Sequence, residues 1–220
     1  MKSVVLNRKY FFFLILAGIS FSGMPQPKDF KLLTGSARTE IEKKIIAEAK
    51  KITSLHCKFE QEKTSVLLTE KAISKGVLMY KSPASLRWEY TQPNKYVLIF
   101  NEGNAYLKDE KGTSINTNKM LKQLATFIIA AINGNSLTDN KNFQIEYYEN
   151  EKNKQVFWVK LTPIPKKLKE MYTAIQIKIS TSDYLASEIV MDEKSGDKMK
   201  ITLLDKKINE TIPTNSFSTN

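Results

Sequence analysis

The chain has 220 residues with 34 Lys+Arg against 23 Asp+Glu, a formal net charge of +11, one histidine and one cysteine. A single cysteine excludes an internal disulfide framework, so an apolar core must supply the stability, and about 200 residues suffice for that as one domain. One histidine beside one cysteine excludes zinc or copper sites of ordinary composition, and no P-loop, GxGxxG or GxSxG motif occurs.

The N-terminus says where the protein works. Lys2, Arg8 and Lys9 form a positive leader, followed by an apolar run from Tyr10 to Ile19 that is too short to span a bilayer with margin. Ser20-Phe21-Ser22 before Gly23 fits the small-x-small rule of a signal peptidase. Residues 1–22 therefore read as a signal peptide cleaved near Ser22/Gly23, with an uncleaved anchor helix as the alternative. No cysteine stands nearby to accept a lipid anchor, so a soluble, exported protein is expected. Loss of the leader leaves a net charge of +8, carried almost wholly by lysines, since only Arg38 and Arg87 remain as arginines. The basic residues are spread along the chain, without the arginine-rich and aromatic clusters of nucleic-acid readout, so no nucleic-acid partner is expected. A solvated lysine coat is the plain reading. Steering toward acidic lipid headgroups or an acidic partner is the functional one.

Residues 23–37 contain two prolines and little periodicity, and read as an exposed lead-in to a single domain over 38–220. From Arg38, Ile41, Ile45, Ile46, Ala49, Ile52 and Leu55 recur at helical spacing, with Thr39 as a candidate cap. After Leu55 the period drops to two. Strand-like runs follow at 75–81, 85–91, 95–101, 104–109 and 112–116, punctuated by Pro83, Pro93, Gly103 and Gly112. Met120 to Ile132 reads as a second helix stopped by Asn133-Gly134, with Leu121, Leu124, Ala125, Ile128 and Ile132 on one face. Strands resume at 142–148, 155–161, 173–180, 185–191 and 197–204, around a break at Pro163 and Pro165.

Turns this short join antiparallel neighbours. The expected architecture is α+β, one antiparallel meander of about ten or eleven strands, and so many strands in one sheet must curl. Two apolar helices can cover the concave side. The second is apolar on more than a narrow stripe, which hints at an incompletely filled interior, although a tightly packed core fits equally well.

Catalytic chemistry is hard to find. His56 and Cys57 are adjacent on a strand and so point to opposite faces; Cys57 shares a face with Phe59 and reads as a buried core residue. Glu60, Glu89, Asp109 and Asp192 fall on polar strand faces or in turns, where solvation explains them. A carboxylate pair distant in sequence keeps a glycosidase open. No catalytic residue, metal or cofactor is assigned.

Several stretches carry a resemblance. Ser54-Leu55 followed by Phe59-x-Gln61 directly after the first helix, Gly76-Val-Leu-Met-Tyr-Lys leading to Pro83, and Leu86-x-Trp88-x-Tyr90-Thr-Gln-Pro93 resemble the opening hairpins of LolA-type periplasmic lipoprotein carriers. Ile208 to Phe217 resembles the closing strand and final phenylalanine of that family, and the likeness runs over residues 38–217. The resemblance implies a strongly curved, open antiparallel half-barrel with helices covering the concave face, and a cavity that shelters the acyl chains of lipoproteins. It implies a periplasmic monomer that receives acylated lipoproteins from an inner-membrane lipoprotein-releasing ABC transporter and passes them to an outer-membrane acceptor, without enzymatic activity. Strand alternation and helix periodicity, with the inward parity assumed for some strands, then choose Phe59, Met79, Leu86, Trp88, Tyr90, Val97 and Ile99 from the sheet and Leu121, Leu124 and Ile128 from the helix as cavity lining. Leu86 and Ser82 are placed at the rim. Ser82 stands where the family typically has an arginine before the proline, which raises a specialised relative for another acylated or polyene cargo. Two rivals remain: a secreted lipid-modifying enzyme, for which no catalytic group is found, and a non-catalytic interaction domain with a filled core.

Overall fold

The computed structural model describes residues 29–67, 70–109, 114–116 and 119–218; the leader lies outside them. In chain order the first half contains β1 (Phe30–Leu32), α1 (Gly35–Ala49), β2 (Ser54–Thr64), β3 (Ala72–Lys81), β4 (Ser85–Gln92), β5 (Tyr96–Asn101), β6 (Asn104–Lys108) and β7 (Ser114–Asn116). The second half contains α2 (Lys119–Ile132), β8 (Phe143–Asn150), β9 (Val156–Pro163), α3 (Lys166–Lys169), β10 (Tyr172–Ser180), β11 (Ala186–Glu193) and β12 (Lys198–Ile208). Two 3-10 turns, Asn135–Leu137 and Thr214–Phe217, complete the chain.

All twelve strands form one antiparallel, open sheet in the order β1-β8-β9-β10-β11-β12-β2-β3-β4-β5-β6-β7. The sheet is two meanders, β2–β7 and β8–β12, joined in the middle by β12 on β2, where Leu203 faces Phe59 and Ile201 faces Gln61. α2 returns the chain from the β7 edge toward β8 and lies over the concave face. Its Ala125, Ile128, Ile129 and Ile132 join Ile45 of α1 in one core with the inward residues of every long strand. Ile52 and Leu55, expected to continue the helix, join the same core from beyond its end at Ala49, Ile52 from the connection and Leu55 from β2. Turn spacing predicts the curled antiparallel α+β sheet and the family resemblance implies the open half-barrel; the described residues form twelve strands where ten or eleven are expected.

Three boundaries differ from expectation. The lead-in is not wholly exposed: Phe30, Lys31 and Leu32 pair with Asn150, Glu149 and Tyr148, and Leu33 is buried. Phe30 also sets its ring edge-on against Trp158 at 6.2 Å. α1 begins before Arg38, and Thr39, expected as a cap, instead donates its hydroxyl to the Gly35 carbonyl within the first turn. The C-terminal segment is not a closing strand. β12 ends at Ile208, after which the chain crosses the outer face, and Ile212 and Phe217 are buried there while the Ser216 carbonyl accepts a hydrogen bond from Arg87.

Cys57 sits at the centre of the core, as its alternation predicts. Burial pushes its thiol up to about 12 from an ordinary 9.0, opposed by nearby Lys206. A thiol that holds its proton more tightly folded than unfolded contributes stability that is whole below pH 9.0 and is lost between there and about 12. The loss runs at about 1.4 kcal/mol per pH unit. Burial also raises the phenols of Tyr90 and Tyr147, which add to the same alkaline decline above their ordinary 10.0. We expect the urea midpoint to fall steeply above pH 9 and less steeply in Cys57→Ala; equal slopes would remove the thiol from the cause.

Candidate functional site

The aromatic wall of β4 is core. Leu86, Trp88 and Tyr90 alternate inward because Arg87 and Glu89 pair with each other on the outer face, Nη2 to Oε2 at 2.8 Å. Phe59 lies 4.8 Å from Trp88 and 5.1 Å from Tyr90, ring centroid to centroid, and Tyr96 stacks on Tyr90 at 4.2 Å. The Tyr90 hydroxyl donates to Gln61 Oε1 at 2.8 Å. Such a cluster fills space.

The lining set expected from the sequence therefore splits. Phe59, Leu86, Trp88, Tyr90 and Ile128 come together in the core cluster. Met79, Val97 and Ile99 do not belong with them. They pair with His56, Glu89 and Arg87, which puts them on the opposite face of the sheet. Ile99 is nevertheless completely buried, because the C-terminal segment covers that face at β4 and β5. The side chains of Leu121 and Leu124 lie outside the described residues. The rim assignment of Leu86 does not hold, since it is fully buried, facing Tyr80 and Phe100 on the neighbouring strands; Ser82 is exposed in the β3–β4 turn, at the end of the hairpin. Asp192, expected in solvent, is buried on the outer face with Gln176 Nε2 at 3.1 Å from Oδ2 and Lys198 Nζ at 3.2 Å from Oδ1.

The open space lies elsewhere. A groove of about 750 Å³ runs between α2 and the β9–β10 connection. Phe127 and Ala130 of α2 form one wall, Leu168 and Met171 the other, and Ile175 and Met191 the floor. Phe127 and Phe143 meet edge-on at 6.5 Å where α2 approaches β8. Polar groups stand around this lining: Lys122 and Lys167, and Asp139, whose carboxylate accepts from the backbone and side-chain nitrogens of Asn142. Ser136 also lines the groove; it is 3% exposed and its Oγ has no hydrogen-bond partner. The volume lies in the range of ligand sites, and the lining has their usual character, apolar with a few polar groups.

Among the described residues no group of three His, Cys, Asp or Glu could hold a metal, and no helix is long and apolar enough to cross a membrane. The sequence reading missed the groove because connections build it. Two signals were available: the broad apolar face of the second helix, whose Phe127 lines the groove, and the Pro163-Ile164-Pro165 break, which marks an irregular segment next to a strand end.

Fold and groove together define an open half-barrel with a helix-covered concave face and an apolar groove beside that helix. The chain belongs to the LolA family: residues 50–220 match the family described as outer membrane lipoprotein carrier protein LolA. A LolA superfamily protein from Nitrosomonas europaea superposes with a TM-score of 0.48 at 13% identity, covering 80% of this chain and 97% of that one. The crystal structure of MucB gives 0.50 at 11% identity over 84% of this chain and 63% of MucB, and the Mycobacterium tuberculosis lipoprotein LppX gives 0.47 at 12% over 81% and 99%. No curated protein sequence matches the chain.

Proposed function

We propose that this protein is a periplasmic carrier that holds the acyl chains of a lipid-modified protein in the α2 groove. After loss of residues 1–22 it would accept cargo from an inner-membrane lipoprotein-releasing ABC transporter and yield it to an outer-membrane acceptor. The observation that carries this reading is the open, apolar groove of about 750 Å³ beneath α2, in a chain of the lipoprotein-carrier family. Phe127, Ala130, Phe143, Met171, Ile175 and Met191 would touch the chains, and Ile128, buried on the other side of α2, would hold the helix in place. Each methylene moved from water into such a site contributes about 0.8 kcal/mol. About ten of them outweigh much of the cost of association without any polar specificity.

Mass spectrometry of an organic extract of the protein, purified from its native compartment without detergent, tests the reading. Acylated lipid or lipopeptide is expected at a fixed ratio to protein. Clean extract from protein that also takes up no fluorescent acyl probe would sink it.

A further inference from the structure

The β2–β3 connection exposes apolar side chains that no element among the described residues covers. Leu67 is 89% exposed and Val66 66%, the most exposed large apolar residues among those described. They are held in place. The Asp197 carboxylate accepts from Ser65 Oγ at 2.9 Å and from the Val66 backbone N–H at 3.1 Å, and the Leu67 N–H donates to Ser65 Oγ at 3.3 Å. Gly196 leaves room for the tip, since a Cβ there would meet Val66 Cγ1 at 2.9 Å.

The tip is continuous with the groove. The register brings the end of β2, the starts of β3, β10 and β12, and the end of β11 to one end of the sheet. There the Lys194 N–H donates to the carbonyl of Met171, a groove wall residue, and the Glu193 N–H donates to the carbonyl of Asp197, whose side chain holds the tip. The same end carries Ile73 and Ile164, 50% and 45% exposed, and exposed lysines that include Lys166, Lys167 and Lys169 of α3 and Lys194. Glu70, Glu170 and Asp109 are exposed carboxylates at this end.

We propose that this end docks on an anionic bilayer, with Val66 and Leu67 entering the headgroup region and the lysines of α3 and Lys194 meeting lipid phosphates. Apolar residues that project from a lysine-bearing surface match the two attractions an anionic membrane offers, insertion and charge. A protein groove would take Leu67 without calling for the lysines. Docked in this way, the protein would set the wall of its groove against the lipid that cargo leaves or enters. The purpose thus rests on the carrier reading, while the contact itself does not.

Flotation with vesicles of phosphatidylcholine plus phosphatidylglycerol, and of phosphatidylcholine alone, tests the proposal. Wild type should bind the anionic vesicles at least about tenfold better, and about 0.5 M NaCl should remove that preference. Leu67→Glu should cost roughly tenfold in vesicle binding and leave uptake of a fluorescent acyl probe unchanged. Lys166→Gln with Lys169→Gln should cost on the order of twentyfold. Equal binding to both vesicles, no binding to either, or an unaffected Leu67→Glu variant overturns it. Probe uptake without vesicle binding would leave the carrier reading standing and remove this surface; vesicle binding without uptake would do the reverse.

Discussion

Replacing Gly76 by alanine is expected to destabilise the protein by at least about 3 kcal/mol, the upper end of what overpacking costs. Gly76 lies in β3 between Phe59 of β2 and Tyr90 of β4, beside a register shift at Lys75/Gly76. A Cβ at that position would stand 1.9 Å from the Glu89 carbonyl oxygen and 2.7 Å from the Phe59 ring. A side chain could turn away, but the carbonyl belongs to the neighbouring strand and moves only with it. If the strand yields, the β3–β4 ladder loosens; if the ring yields, Phe59 loses its contacts with Trp88 and Tyr90. Urea unfolding of the variant measures the loss. A change under about 1 kcal/mol would mean that the bulge absorbs a methyl group, and the aromatic cluster would then be looser than its ring distances imply.

The second large effect concerns the groove. Ala130→Asp should weaken binding of a fluorescent acyl probe roughly a hundredfold, about 3 kcal/mol, with folding preserved. Ala130 is half-buried on the groove side of α2, so a carboxylate there is hydrated while the groove is empty and meets hydrocarbon once it fills. Aspartate shortens the list of escapes because it cannot reach past the wall to solvent as glutamate would. Ala130→Phe gives a control without charge: it occupies the space and should also reduce uptake. Undiminished affinity in both folded variants would place acyl binding somewhere other than this groove.

How legible was all this in the sequence? The meanders were, because strand alternation and short turns act locally. Leu86, Trp88 and Tyr90 share one face, and Cys57 and Phe59 join them in the core. The failures share a cause. In Val97-Leu98-Ile99-Phe100 both parities are apolar, and period two cannot choose between them. What decides is that Leu98 and Phe100 face Trp88 and Leu86. Ile99 is apolar because residues more than a hundred positions later cover the outer face. Leu86 follows a turn, which suggested a rim, yet β3 and β5 flank it on both sides. β1 is only three residues long and finds its partner in β8, far along the chain. The groove was the least legible part, since its walls come from a helix, a turn and an irregular connection whose approach is fixed by the sheet's curvature.

The junction at the centre of the sheet bears on the order in which the chain reaches this structure. β2 pairs on one side with β3, its immediate successor, and on the other with β12, almost at the end. Each meander can zip from hairpins that close short loops, but the seam between them must wait until the last long strand is available to pair. Until then β2 offers an unpaired, eleven-residue edge that includes Leu55, Cys57 and Phe59. This nascent edge, absent from the finished molecule, is a target for holding chaperones and for mispairing between copies. Truncations that remove β12 should therefore aggregate through β2, even though every residue of the N-terminal meander is intact.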